Sequence, residues 1–390
     1  MTNKFSTSKN TLCIGILGSG QLGLMMARAA KKLDLKTIVY DSSADGPATL
    51  EADVSIVAPF DDKDALDRFA AAVDIITLEF ENIPTGTLEH LAAQRPLYPA
   101  PGVVRICQDR LLEKEFLRSH GFPLAPFYVV TSAEELSQAM QRLNSPAILK
   151  TATLGYDGKG QIPLQPGDDY LTIWAMLKTN RAVLEKKIDF IGEASIICAR
   201  SGSGEIACFP LQENIHRHGI LDISIIPSRF GKDTEERAKT VGRAITQTLG
   251  VVGLLAVELF VLADGSLMVN ELAPRPHNSG HHTLDSSTTS QFEQIIRAIC
   301  GWPLGSPALE KPAVMVNLLG DLWAEGEPDW DFLQRDSNVS LHLYGKKIAK
   351  PGRKMGHFTI TGNNRENLIK HARCLFEGLR LGDKSSSGLI

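Results

Sequence analysis

From residue 12 to about residue 105 the chain repeats one arrangement: a short unbroken apolar run, a turn, then apolar positions three and four apart. The runs at 12–17, 37–40, 54–57 and 75–78 read as strands. Leu22, Met25, Met26, Ala29 and Leu33 share one face of an intervening helix, and Leu66, Phe69, Ala70 and Val73 share a face of another. Strand and helix alternating this way predict a parallel, Rossmann-like sheet. Pro96, Pro99, Pro101 and Gly102 punctuate its end.

The pattern then changes. Residues 103–120 read as one charged helix, Thr131-Ser-Ala-Glu134 as a capping box opening another, and 147–150 as a strand ending in Lys150. Strands with hairpin signals fill 182–226, and a helix is expected after Glu235. Apolar runs at 253–257 and 266–270 flank an Ala-Asp-Gly-Ser turn, and a β-rich tail begins at Pro312. No internal repeat or low-complexity segment is visible.

At 390 residues two or three domains are expected. Hydrophobic content of 43%, charged content of 22% and a net charge of −4 fit a soluble enzyme and lack the basic field of a nucleic-acid binder. A phosphorylated ligand therefore needs a local basic pocket. The six cysteines are scattered without a Cys-x-x-Cys pair, as for thiols in a reducing compartment. The polar first ten residues lack a secretory apolar stretch, and no eighteen apolar residues run together, so a cytoplasmic location without membrane contact is expected.

Glu258 and Glu271 carry the most chemistry. A two-residue turn closed at Asp264 and Gly265 places them directly opposite each other across a hairpin. Like charges roughly 5 Å apart are destabilising in a sheet, so carboxylates between apolar runs call for a cation. Hard oxygen ligands suit Mg²⁺, which keeps phosphate oxygens among its other ligands. Gly155-Tyr-Asp-Gly-Lys-Gly-Gln161 has three glycines in seven residues, free to close backbone N–H groups over phosphates beside Lys150 and Lys159. Glu185 and Glu193 flank a strand whose backbone can read an adenine edge while the carboxylates hold ribose hydroxyls.

Four further features admit more than one reading. Arg275 and His277, just after Glu271, suit a developing anion; His277, His281 and His282 as zinc ligands lack a fourth partner. The basic turn with Lys346, Lys350, Arg353 and Lys354 suits a phosphomonoester or is simply solvated. Gly18-Ser-Gly-Gln-Leu-Gly23 with Asp41 completes a dinucleotide fingerprint, which fits an NAD-linked dehydrogenase; the same glycines serve a tight turn without any dinucleotide. The helix start near Gly20 and Gln21 also offers a seat for some other anion.

Lys150, residues 155–161, Glu185, Glu193, Glu258 and Asn270-Glu271, in that order, resemble the ATP-grasp superfamily. With Gly-Ser-Gly-Gln-Leu-Gly, Asn-Glu-Leu-Ala-Pro-Arg-Pro-His-Asn-Ser-Gly-His and Lys-Pro-Gly-Arg-Lys-Met-Gly-His, the chain is similar to the N5-carboxyaminoimidazole ribonucleotide synthetase family of purine biosynthesis over residues 12–372. The resemblance implies an α/β and α+β ATP-grasp fold. It divides into a Rossmann-like domain (1–105), a small subdomain with a glycine-rich lid (106–185), a large subdomain (186–310) and a β-rich C-terminal domain (311–390).

The implied activity is Mg-ATP-dependent carboxylation of 5-aminoimidazole ribonucleotide by bicarbonate through carboxyphosphate, with Mn²⁺ able to replace Mg²⁺, in a homodimer. On this basis Arg110, Lys150, Gly155, Tyr156, Asp157, Gly158, Lys159, Gly160, Gln161, Glu185, Lys186, Lys187, Ile188, Glu193, His216, Asn270 and Glu271 contact ATP. Glu258 and Glu271 hold the metal. Tyr156, Asp157, Arg275, His277, Lys346 and Arg353 surround the aminoimidazole ribonucleotide and carboxyphosphate, and Arg275, His277, Lys150 and Asp157 act in catalysis. Gln21, Leu22 and Glu79 transfer as substrate contacts from the related formate-dependent glycinamide ribonucleotide transformylase, the rival reading. A non-catalytic nucleotide sensor is a third, and the next pathway step is expected on another chain.

Overall fold

The structure is a computed structural model that describes residues 11–153, 155 and 160–381. Its first unit follows the predicted alternation: β1 (Cys13–Leu17), α1 (Gln21–Lys32), β2 (Lys36–Asp41), β3 (Val54–Val57), α2 (Lys63–Ala72), β4 (Ile75–Leu78) and α3 (Thr85–Ala92). The four strands form a parallel sheet in the order β3-β2-β1-β4. The apolar face of α1 is buried as its spacing requires: Leu22 and Met26 pack with Phe292, Ile295 and Ile299, far along the chain. Burial of each such side chain contributes roughly 1.5–3 kcal/mol, which fastens this unit to the rest of the molecule.

The single helix expected at 103–120 is two, α4 (Pro101–Gln108) and α5 (Arg110–Ser119). Asp109 separates them with an extended backbone, φ −121° and ψ 110°, and its carboxylate caps α5 by accepting from Leu111 N at 2.9 Å. The small antiparallel sheet follows, built from β5 (Phe127–Val130), α6 (Ala133–Leu143), β6 (Ala147–Thr151), β7 (Gln161–Leu164), α7 (Tyr170–Leu177) and β8 (Ala182–Lys186), in strand order β5-β8-β6-β7. The α6 capping box lies one residue later than expected: Ser132 is the cap, and the Glu135 carboxylate reaches back to Thr131 N at 2.7 Å.

The largest sheet takes β9 (Gly192–Arg200), β10 (Ile206–Cys208), β11 (Gln212–Arg217), β12 (Ile220–Ile226), then, after α8 (Lys232–Leu249), β13 (Gly253–Val261) and β14 (Leu267–Ala273). After α9 (Thr283–Ser286) and α10 (Gln291–Ile299) come β15 (Ala313–Leu319), α11 (Trp330–Gln334), β16 (Val339–Leu343), β17 (Lys354–Thr361) and α12 (Arg365–Leu381). The C-terminal strands continue the same sheet, because β15 pairs antiparallel with β12; the order is β14-β13-β9-β11-β12-β15-β17-β16 with β10 beside β9. α12 covers the far end with Leu368, Ala372 and Leu375, over Phe358 and Ile360. Among the described residues no helix is long and apolar enough to cross a membrane.

Candidate functional site

The hairpin β13-β14 brings Glu258 and Glu271 to one cleft of about 440 Å³, by a different route from the expected turn. The loop has three residues, since Leu262 and Ser266 bond across Ala263, Asp264 and Gly265, and Gly265 takes φ 75°. That shifts the ladder near the tip by one: Val261 pairs with Leu267 and Leu259 with Val269. A bulge in β14 then restores the expected register, so that Val257 pairs with Leu272 and Ala256 with Ala273. Glu258 thus stands against both Asn270 and Glu271. Adjacent residues of a regular strand point to opposite faces, and the bulge is what lets Asn270 and Glu271 both line the cleft.

Burial works to raise the Glu258 carboxyl, but the hydrogen bond and charge of His277, 2.9 Å away, outweigh it, with help from His216 and the Asn270 amide, and hold it at about 2. Glu271 is raised by desolvation and then by the charge of Glu258. Its side chain is 47% exposed. Asn270 Oδ1 is buried and without a hydrogen-bond partner among the described residues. Two carboxylates that repel each other beside an unmatched amide oxygen fit a hard divalent cation.

The facing wall comes from the small sheet and α5. Lys150 on β6 donates to Glu185 on β8 at 3.1 Å, and Lys114 lies 3.4 Å from the same Glu185 oxygen. Desolvation lowers Lys150, whereas Lys114 and Lys150 together overcome desolvation at Glu185 and lower it. The expected role of Glu185 as a ribose ligand is therefore corrected: its carboxylate is 4% exposed and committed to two ammonium groups. Lys186, Lys187 and Ile188 follow it along the cleft edge, where Phe190 stacks on Phe260 at 4.7 Å between ring centres. Arg110 donates to Thr151 O and Gly155 O, both at 3.1 Å, and lies 3.9 Å from Glu271. Gly155 and Gln161 line the cleft and Gly160 O accepts from Thr151 N. Tyr156, Asp157, Gly158 and Lys159 lie outside the described residues.

Deeper in, His216 Nδ1 meets Glu193 at 2.7 Å, and this pairing raises His216 against the opposing effect of burial. Arg275 holds Glu81 with two parallel bonds, Nη2 to Oε1 at 3.0 Å and Nε to Oε2, and also donates to Pro276 O. Desolvation opposes ionisation of Glu81, but Arg275 overcomes it and lowers the carboxyl. Among the described residues three of the five Arg275 N–H groups are thus engaged, leaving two for a ligand. The zinc reading fails on geometry: His277 is held by Glu258 and Ser279, His282 by Ser286, and His281 is packed against Phe292. Among the described residues the metal-ligand spacing occurs instead at Asp285, His342 and His357. His342 and His357 are stacked with ring planes 16° apart, His342 Nε2 meets Asp285 at 3.0 Å and His357 Nδ1 meets Tyr344 Oη at 2.8 Å.

The glycine-rich loop of the first domain is already occupied by its own protein. Asp41 accepts from Ser19 N at 2.7 Å and Ser19 Oγ at 2.6 Å, and Glu79 accepts from Gly20 N at 2.5 Å and Gly23 N at 2.9 Å. The anion seat expected near Gly20 is filled by Glu79, and the acid needed for a dinucleotide ribose is tied to Ser19. Glu79 is raised, first by desolvation. Leu22 is 7% exposed and its side chain packs in the core. Gln21 Oε1 accepts from Lys346 Nζ at 2.8 Å, and Lys346 also donates to Lys354 O at 2.7 Å, which joins this group to the cleft rim at Lys354. Arg353 donates to Ile348 O and lies outside the cleft lining.

Sequence reasoning missed Glu81, Phe190, Phe260, Glu113 and Lys114. The last two stand three and four residues after Arg110, on the same helix face, a signal hidden in a run of charges that reads as solvated. Lys114 is 1% exposed and donates to Asn270 O at 2.7 Å. Glu113 accepts from Leu272 N at 2.8 Å, and desolvation pushes it to about 8.

Three family models cover nearly all of the chain: a ribonucleotide synthetase preATP-grasp domain at 11–108, an ATP-grasp domain at 115–292, and a phosphoribosylaminoimidazole carboxylase C-terminal domain at 313–371. The N5-carboxyaminoimidazole ribonucleotide synthase of Bacillus subtilis (strain 168) is 46% identical over 92% of this chain and 93% of its own length. The N5-carboxyaminoimidazole synthetase of Staphylococcus aureus, solved with ADP, superposes with a TM-score of 0.87 at 37% identity, covering 96% of this chain and all of that one. The Aspergillus clavatus N5-carboxyaminoimidazole synthase, solved with ADP and 5-aminoimidazole ribonucleotide, gives 0.88 at 29% identity over 96% of this chain and 100% of that one.

Proposed function

The chain belongs to the N5-carboxyaminoimidazole ribonucleotide synthase family of ATP-grasp ligases, and from that premise we propose that it joins bicarbonate to the exocyclic amine of 5-aminoimidazole ribonucleotide while ATP becomes ADP and phosphate, a step of de novo purine synthesis. One observation carries the reading: a single cleft holds Glu258, Asn270 and Glu271 opposite Lys150, Glu185 and residues 186–188, with Arg275 and His277 at its floor.

Bicarbonate is a poor electrophile until one oxygen becomes a leaving group. A bicarbonate oxygen attacks the γ-phosphorus, ADP departs, and carboxyphosphate forms. The amine nitrogen then attacks the carboxyl carbon, phosphate leaves with the C–O bonding pair, and the nitrogen loses a proton. Glu258 and Glu271, assisted by Asn270, would hold Mg²⁺ or Mn²⁺, which when bound neutralises charge across the β- and γ-phosphates. Lys150 from the small sheet and Arg110 from α5 face the same phosphates, with Gly155 and Gln161 beside them. Lys186, Lys187 and Ile188 offer backbone to the adenine edge, and Glu193 with His216 takes the ribose.

Arg275, pinned by Glu81, directs its two remaining N–H groups to the carboxylate, and His277, seated on Glu258, supplies a further donor. Lys346 and Arg353 neutralise the ribonucleotide phosphate. The partners are small molecules alone, with neither nucleic acid nor membrane, and the working state is a cytoplasmic homodimer. Phosphate release from ATP, with bicarbonate and aminoimidazole ribonucleotide omitted in turn, tests the assignment. Full turnover requires both, and stimulation by formate with glycinamide ribonucleotide would instead establish the transformylase.

A further inference from the structure

β14 is the edge strand of the nine-stranded sheet, so its outward backbone groups need partners from elsewhere. Two adjacent residues of α5 provide them on either side of Glu271: Lys114 Nζ donates to Asn270 O at 2.7 Å, and the Glu113 carboxylate accepts from Leu272 N at 2.8 Å. These bonds fix the peptide groups flanking the carboxylate that the bulge turns into the cleft. Lys114 is 1% exposed, and a buried ammonium persists only where its bonds repay desolvation. Its other partner is Glu185 Oε2 at 3.4 Å, which Lys150 shares at 3.1 Å. Glu185 is the penultimate residue of β8 in the small sheet, immediately before the stretch assigned to adenine, whereas Asn270 belongs to the large sheet. Arg110, one helical turn before Lys114, donates to Thr151 O and Gly155 O.

We propose that Lys114 is a positioning residue that couples the nucleotide hinge to the metal-binding bulge: through Asn270 O and Glu185 it places Glu271 where the cation of a bound nucleotide requires it. Lys114 bonds Asn270 O and pairs with Glu185, and it acts through those two residues. Glu113 completes the clamp on the opposite side of Glu271. The inference rests on the nucleotide-ligase reading of the cleft, but not on which acid or amine is joined.

The test compares wild type with Lys114→Met and Glu185→Gln in the full chain. Calorimetry measures ADP binding without metal, and electron paramagnetic resonance measures Mn²⁺ binding to the ADP complex. Lys114→Met is expected to keep metal-free ADP affinity within about threefold, to weaken Mn²⁺ binding at least tenfold, and to lower kcat at least tenfold with a smaller change in KM for ATP. Combined with Glu185→Gln the losses are expected to be less than additive, as for residues acting in one chain of contacts. If Lys114→Met does not fold, Glu185→Gln, which preserves shape, carries the test with the same Mn²⁺ readout. Mn²⁺ binding within twofold of wild type in whichever variant folds overturns the proposal, as does a parallel collapse of ADP binding, Mn²⁺ binding and thermal midpoint. Carboxylation by the wild-type protein is scored separately, so a wrong substrate and a wrong role for Lys114 give different results.

Discussion

Arg275→Ala separates a catalytic donor from a structural one. In the folded protein the guanidinium makes two bonds to Glu81, and both side chains are about one-fifth exposed, 20% and 22%. Removing one partner of a well-buried pair costs about 3–5 kcal/mol, and this degree of exposure reduces the expected loss to about 2–3 kcal/mol. If Arg275 also stabilises charge on the carboxyl group being transferred, its loss costs about a hundredfold to a thousandfold in kcat. Arg275→Ala/Glu81→Ala distinguishes the two contributions, because it removes the stranded carboxylate along with the cation. Urea unfolding is expected to show the double variant recovering most of the lost stability, while phosphate release with bicarbonate and aminoimidazole ribonucleotide stays at the level of the single variant. ADP binding is expected within threefold of wild type in both. Recovery of turnover in the double variant would refute the reasoning, since Arg275 would then serve only to neutralise Glu81.

Three further outcomes follow from the geometry. Glu271→Gln is expected to weaken Mn²⁺ binding to the ADP complex at least tenfold, because a neutral amide cannot supply the second charge; unchanged resonance titrations contradict the metal assignment. Gly20→Ala puts a methyl 2.4 Å from Glu79 Oε1, displaces the carboxylate from Gly20 N and Gly23 N, and is expected to cost about 2 kcal/mol or more in urea unfolding; an unchanged midpoint rejects the clamp. Desolvation lowers His282 to about 3, so the unfolded chain binds its proton first as pH falls. The stability it contributes is complete above the ordinary value of about 6.5 and declines as pH drops from there toward 3, by up to about 1.4 kcal/mol per pH unit. His282→Asn is expected to flatten the dependence of the unfolding midpoint between pH 6 and pH 4, and an equally steep profile removes the argument.

The strand-helix alternation of residues 12–92 was readable because apolar spacing there answers directly to burial, as Leu22 and Met26 show. The facing of Glu258 and Glu271 was also legible, although the predicted two-residue turn is a three-residue loop whose one-step shift the bulge at Asn270 and Glu271 cancels. No local spacing encodes that cancellation; it falls where the edge of β14 meets Glu113 and Lys114 of α5. The Gly18 to Gly23 fingerprint admits two readings in the sequence, and in the structure its N–H groups answer to Glu79 and Asp41. Glu185 looked like a ribose ligand because Lys114, its partner, lies 71 positions away in a segment that reads as a solvated helix. Buried ion pairs between remote residues leave no periodic trace, and here they form much of the cleft's inner wall.

Because β15 pairs with β12, the strands bearing Glu258 and Glu271 share one hydrogen-bonded fabric with those that follow Lys346. Sliding one part of that fabric against another would break whole rows of backbone bonds at once. The sheet of β5 to β8 meets that fabric through single contacts, such as Leu124 with Val269, Ile191 N with Val261 O, and Lys114 between Glu185 and Asn270. The acids on β13 and β14 are thus held in register with the basic turn by the same ladder that joins β12 to β15, and a substitution that breaks that ladder would disturb both ends of the sheet at once.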